Sequence, residues 1–107
     1  MDKSLEKFDF IKQYLESNLS FPNRHFPGLK DEIIVDENRE HLLHILRGWD
    51  NDQYLYKVLY HVQITEDEII AIHHQDIDKP LIEELVALGI PAEGITLNYA
   101  EKYDQAA

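Results

Sequence analysis

The spacing of apolar residues changes period twice along this chain, and that alternation limits the fold more than any other feature. Leu5, Phe8, Ile11, Leu15 and Leu19 recur every three or four residues, the single stripe of an amphipathic helix. Asp2 or Ser4 is placed to cap its start, with Asp2 and Glu6 near the positive end of the helix dipole. Ser20-Phe21-Pro22-Asn23 ends it, because Pro22 has no N–H to donate, and Phe21 and Phe26 are expected to cover one end of the core. The period then falls to two. Ile33–Val35 and Glu40–Arg47 read as strands joined by the turn Asp36-Glu37-Asn38, and Gly48 to Asp52 reads as a loop. Tyr54–Ile64 is the longest strand, with Tyr54, Tyr56, Val58, Tyr60, Val62 and Ile64 expected on one face. A tight turn at Glu66-Asp67 leads into Ile69–His73.

The helical period returns at Asp78, a candidate cap, with Leu81, Ile82, Leu85 and Leu88 as the buried stripe and Gly89 and Pro91 as the stop. Ala92-Glu93-Gly94 is a single turn, Ile95–Leu97 a short final strand, and Tyr99–Ala107 a tail with no pattern. The expected fold is therefore α+β: an N-terminal helix, a four-stranded antiparallel meander, a second helix and a short final strand, with the helices on one face of the sheet. Its 107 residues are 44% hydrophobic, enough for one core and one domain spanning 1–107. Apolar residues stand at both parities of the strands, as in Leu42/Leu43, Ile45/Leu46 and Ile69/Ile70, so the second sheet face is not cleanly polar. Either the C-terminal segment covers that face or another protein does, a second copy included.

Charge narrows the partners. The chain carries 10 Lys+Arg and 21 Asp+Glu, a net of −11, and residues 31–107 hold seventeen of the carboxylates against five basic side chains. Such a field repels phosphates, so direct nucleic-acid binding is not expected, and a basic protein is the natural complement. No apolar run approaches the roughly 20 residues of a membrane helix, the first residues lack a secretory apolar segment, and there is no cysteine; a cytoplasmic location is expected.

Few residues offer chemistry. Nucleotide-binding glycine motifs and the helical zinc-protease motif are missing, and Ser4, Ser17 and Ser20 all lie in or just after the first helix, far in sequence from a base. The richest segment is His73-His74-Gln75-Asp76-Ile77-Asp78. On an extended strand His74, Asp76 and Asp78 share a face while His73 points away, and His61 can approach from the neighbouring strand. A small metal-dependent enzyme using His73, His74 and Asp76 is one reading; a polar strand end followed by a helix cap is the other. His25, His41 and His44 show no ligand spacing, and His44 is expected near the core. Trp49, Tyr54 and Tyr56 suit packing or a protein contact better than base stacking, since no basic frame surrounds them. The candidate partner-contact or polar site is thus Trp49, Tyr54, Tyr56, His61, His73, His74 and Asp76, with no catalytic residue and no cofactor expected.

Several of these segments together resemble one family. Gly48-Trp49, the strand Tyr56-x-Val58-Leu59-Tyr60-His61-Val62-x-Ile64, the run Ile69-Ile70-Ala71-Ile72-His73, and above all Ile82-x-Glu84-Leu85-Val86-x-Leu88-Gly89-Ile90-Pro91-x-Glu93-x-Ile95-x-Leu97 are similar to XisI-like proteins, the controlling factors for excision of the fdxN element in cyanobacteria. The resemblance implies a non-enzymatic regulatory protein acting with XisH, a partner of nuclease-like fold, in site-specific DNA excision. The chain departs from the family in having Glu66-Asp67 where relatives have Gly in the turn, and in its tail.

Overall fold

In a computed structural model, which describes residues 3–76 and 80–98, the chain forms two helices, one single turn and a five-stranded sheet. Helix α1 (Lys3–Ser17) is followed by β1 (Leu29–Val35), β2 (His41–Asp50), β3 (Gln53–Ile64), β4 (Ile70–Gln75), helix α2 (Leu81–Ala87), a 3-10 turn (Ala92–Gly94) and β5 (Ile95–Leu97). The strands lie side by side in chain order. β1 to β4 pair antiparallel, as the meander requires, whereas β5 pairs parallel to β4, Ile70 opposite Ile95, because α2 carries the chain back to the starting end.

The helices earn their place by burying one stripe each. Phe8, Ile11 and Leu15 of α1 and Leu81 and Leu85 of α2 are buried against Leu42, Val62, Ile64, Ile70 and Ile72 of the sheet. Burial of such side chains stabilises the fold by about 1.5–3 kcal/mol each before ordering costs are counted. The Tyr14 hydroxyl donates to the Glu84 carboxylate and ties the two helices together; burial and that bond push the phenol up to about 12. Leu5, Leu19 and Leu88, expected in the stripes, are not buried but 37–45% exposed. Leu19 lies beyond the helix end, and Leu88 is the α2 C-cap.

The turns depart from expectation in instructive ways. Ser4 lies inside the first turn of α1 rather than capping it, while Asp2, Asp78 and the tail lie outside the described residues. The first N–H of α2 is instead satisfied by the Gln75 side chain, Leu81 N to Gln75 Oε1 at 2.8 Å, with Pro80 at the N-cap. Gly48 to Asp50 is strand, not loop: β2 runs on to Asp50 and turns back through Asn51-Asp52 alone. Gly48 adopts φ +132°, which lets β2 pass against Gly28 just before β1.

The largest correction concerns β3. His44 pairs with Tyr60 but Ile45 pairs with Val58, so Leu59 is an extra residue, a β-bulge. Tyr60, Val62 and Ile64 therefore face the helices, as expected, while Tyr54, Tyr56 and Val58 turn to the opposite face. The six do not share a face, because one inserted residue inverts a period of two. A second bulge, between His61–His74 and Val62–Ile72, makes His73 the extra residue of β4. His73 does not point away from His74; both stand on the same face as His61.

One buried hydrogen-bonded pair anchors the helix side. His44 Nε2–H donates to Asp31 Oδ2 at 2.9 Å with both side chains almost inaccessible, and Asp31 also accepts the backbone N–H of Phe21 and Ser20 at 2.9 and 3.1 Å. Asp31 thereby holds the chain leaving α1. Phe21 packs on the core and meets Phe26 edge-on at 5.9 Å, though Phe26 itself is 39% exposed.

Candidate functional site

Both helices pack on the inner face, so the opposite face of β1–β4 carries the exposed and half-exposed side chains. Alternation and the two bulges assemble there Trp49, Tyr54, Tyr56, Arg47, Leu43, Val58, His41, His61, Gln63, His73 and His74. Every candidate residue lies on this face or at its rim.

At the tip of the β2–β3 hairpin Trp49 and Tyr54 sit opposite each other and stack edge-to-face, with centroids 5.3 Å apart and planes at 64°. They and Tyr56 are 56%, 51% and 64% exposed, large areas for aromatic side chains on a face with no described covering element. Arg47, directly opposite Tyr56, bonds Glu32 Oε1 at 2.9 Å, and that bond raises its pKa.

Toward β4 lies a shallow cleft of about 430 Å³ lined by Leu43, Lys57, Val58, His61, His74 and Asp76. His74 Nε2 meets the Val58 carbonyl at 3.0 Å, and Asp76 lies 3.6 Å from the Lys57 ammonium. Beside it the imidazoles of His41, His61 and His73 pack together: His41 Nδ1 is 3.0 Å from His61 Nε2, and the His61 and His73 rings are 4.7 Å apart. A polar relay fixes His73. Thr96 donates to Asn98 Oδ1, Asn98 Nδ2 donates to His73 Nδ1 at 3.3 Å, His73 Nε2–H donates to Gln63 Oε1 at 2.8 Å, and Gln63 Nε2 donates to Glu40. With the amides so placed, His73 is the Nε2–H tautomer.

The arrangement does not aim three ligands at one point. His73 is used by Gln63 and Asn98, His74 by Val58, and Asp76 faces Lys57, so the metal grouping read from the segment is not assembled; no group of three or more metal-type ligands occurs among the described residues. Asp78, its other possible member, lies outside the described residues. The sequence reading placed His61 near His73 and His74 correctly but missed His41, Gln63 and Asn98. The turn-fixed hairpin register was the available signal for His41, yet without the bulge it places His41 opposite Val62, on the wrong face.

Burial first, and then neighbouring imidazoles, lower the pKa of His61 and of His73 below the ordinary 6.5. For a histidine so shifted the folded state prefers the neutral ring, so its contribution is complete above pH 6.5 and is lost as pH falls through the lowered value. The melting temperature is expected to hold steady from pH 8 to 7 and to decline once pH passes below 6.5, with the decline flattened in the His61→Gln/His73→Gln double variant. Identical pH profiles for the two proteins would show that the cluster does not carry the effect.

The described helices include none long and apolar enough to cross a membrane. A family model described as XisI protein matches residues 1–106. A crystal structure of a XisI-like protein from Anabaena variabilis superposes with a TM-score of 0.73 at 24% identity, covering 88% of this chain and 84% of that one. A crystal structure of fdxN element excision controlling factor XisI from the same organism does so with a TM-score of 0.59 at 25% identity, covering 90% and 86%. The search of curated proteins returned no match.

Proposed function

This chain belongs to the XisI family, and from that premise we propose that it is a controlling factor of site-specific DNA-element excision, acting without catalysing a reaction itself and through a partner of nuclease-like fold, of the XisH type. The observation that carries the reading is the family match along residues 1–106, supported by the likeness to an fdxN element excision controlling factor. Charge supports it as well. A net of −11 disfavours contact with DNA phosphates but speeds encounter with a basic, DNA-handling protein. Carboxylates cluster at two hairpin ends, with Glu66, Asp67 and Glu68 between β3 and β4 and Asp50 and Asp52 at the end of β2 and in the turn that follows. The metal-dependent reading gains nothing from the separate commitments of His73, His74 and Asp76.

Co-expression with the XisH-type protein tests the proposal. A stable complex is expected at about 0.1 M salt, weakening as added salt shortens the Debye length from about 10 Å. Two separate elution peaks at low salt would remove the XisH-dependent mechanism.

A further inference from the structure

We propose that the sheet face opposite the helices, uncovered among the described residues, is a self-complementary interface on which a second copy of this chain docks, centred on Trp49, Tyr54 and Tyr56. Three observations converge on a second copy rather than a basic partner. The first is composition: exposed Trp, Tyr and Arg, here Trp49, Tyr54, Tyr56 and Arg47 in one patch, are the residue types that dominate binding energy at interface centres. The second is charge. The surrounding chain is strongly acidic, but on this face the charges balance: Glu32 pairs with Arg47, Asp76 with Lys57, and Glu40, held by the neutral Gln63 amide, is offset by Lys30 opposite Arg47. A basic protein finds no surplus of negative charge here, whereas a second copy meets a face that carries no net charge. The third is size. Strands about 4.8 Å apart, rising about 3.3 Å per residue, give this sheet a face on the order of 600–800 Å², close to the 800 Å² or so that each partner contributes to a standard interface. The half-buried Leu43 and Val58 continue the patch toward the cleft. Self-association is independent of the XisH-dependent mechanism, which the acidic turns would serve.

The test is the mass of the purified full chain in solution, by sedimentation velocity at neutral pH and concentrations of tens of micromolar. A species of twice 12.6 kDa is expected. In the Trp49→Ser/Tyr56→Glu double variant, whose replaced side chains are more than half exposed, dimer affinity is expected to fall at least tenfold, with circular dichroism unchanged. A wild-type monomer throughout this range overturns the proposal. A dimer of unaltered affinity in the double variant, with native circular dichroism, also overturns it by placing the contact elsewhere. Should that variant misfold, Tyr56→Lys alone gives the same reading, and cross-linking at Tyr56→Cys between copies provides a second.

Discussion

Gly48→Ala is expected to lower the stability of this protein by about 3 kcal/mol or more, a fall in melting temperature of roughly 10–20 °C. Two costs add. Gly48 has φ +132°, a backbone region in which a side-chain-bearing residue is strained by about 1–3 kcal/mol. A Cβ there would also stand 2.2 Å from the Gly28 carbonyl oxygen and 3.0 Å from the Leu29 Cα, and neither is the free end of a flexible side chain. The obstruction is mutual, since a Cβ on Gly28 would meet the Trp49 carbonyl at 2.4 Å. Relief requires β1 to move off β2 at the point where the Trp49 N–H donates to the Gly28 carbonyl at 3.0 Å. Gly94→Ala is the control, because nothing lies within 4 Å of its added carbon, and it is expected to change stability by less than about 0.5 kcal/mol. Denaturant unfolding of the two variants checks this; similar midpoints would mean that the β1–β2 contact is not as close as described.

Asp31→Ala carries the second large expected effect, a loss of about 3–5 kcal/mol, the usual consequence of removing one partner of a buried pair. The substitution leaves His44 Nε2–H without its acceptor in a site that already holds His44 Nδ1 buried and unpartnered. It also frees the Phe21 and Ser20 N–H groups that fix the chain after α1. In the native protein burial pushes the Asp31 carboxyl up, but the bonds from His44, Phe21 and Ser20 outweigh it and hold the group below its ordinary 3.8. Its stabilisation is therefore present above pH 3.8 and disappears as pH falls through the lowered value, a window well below that of the histidines. Urea unfolding at neutral pH measures the loss, and a cost under about 1 kcal/mol would show the pair to be dispensable. The variant Asp31→Leu/His44→Leu is expected to recover part of the stability, since no unpartnered imidazole is then left buried.

Much of the fold was legible because it is written locally. The helix stripes at Phe8, Ile11 and Leu15 and at Leu81 and Leu85, the stop at Gly89, and the short strand Ile95–Leu97 follow from period and breakers alone. The second sheet face was legible too, since apolar residues at both parities of β2 announced that neither face would be plainly polar. The site was legible only in parts. The pattern offered Trp49, Tyr54 and Tyr56 as candidates by their chemistry but put Tyr54 and Tyr56 on the face of Tyr60 and Val62, whereas the hairpin placed His61 near His73 and His74. The relay through Thr96, Asn98, His73, Gln63 and Glu40 joins β5 to the start of β2, and no local pattern connects residues so far apart.

What the amino-acid order determined by itself was the succession of elements, their inward stripes and the acidic balance, each of which depends on near neighbours and on composition. Only the folded chain decided which side chains share the open face. A strand's pattern repeats every two residues, so the insertions at Leu59 and His73 each exchange inside for outside along everything beyond them. Those insertions are selected by how β2, β3 and β4 together bury Leu59, Tyr60 and Ile72, a competition among distant residues. That choice turned Tyr54 and Tyr56 outward and brought His41, His61 and His73 into contact.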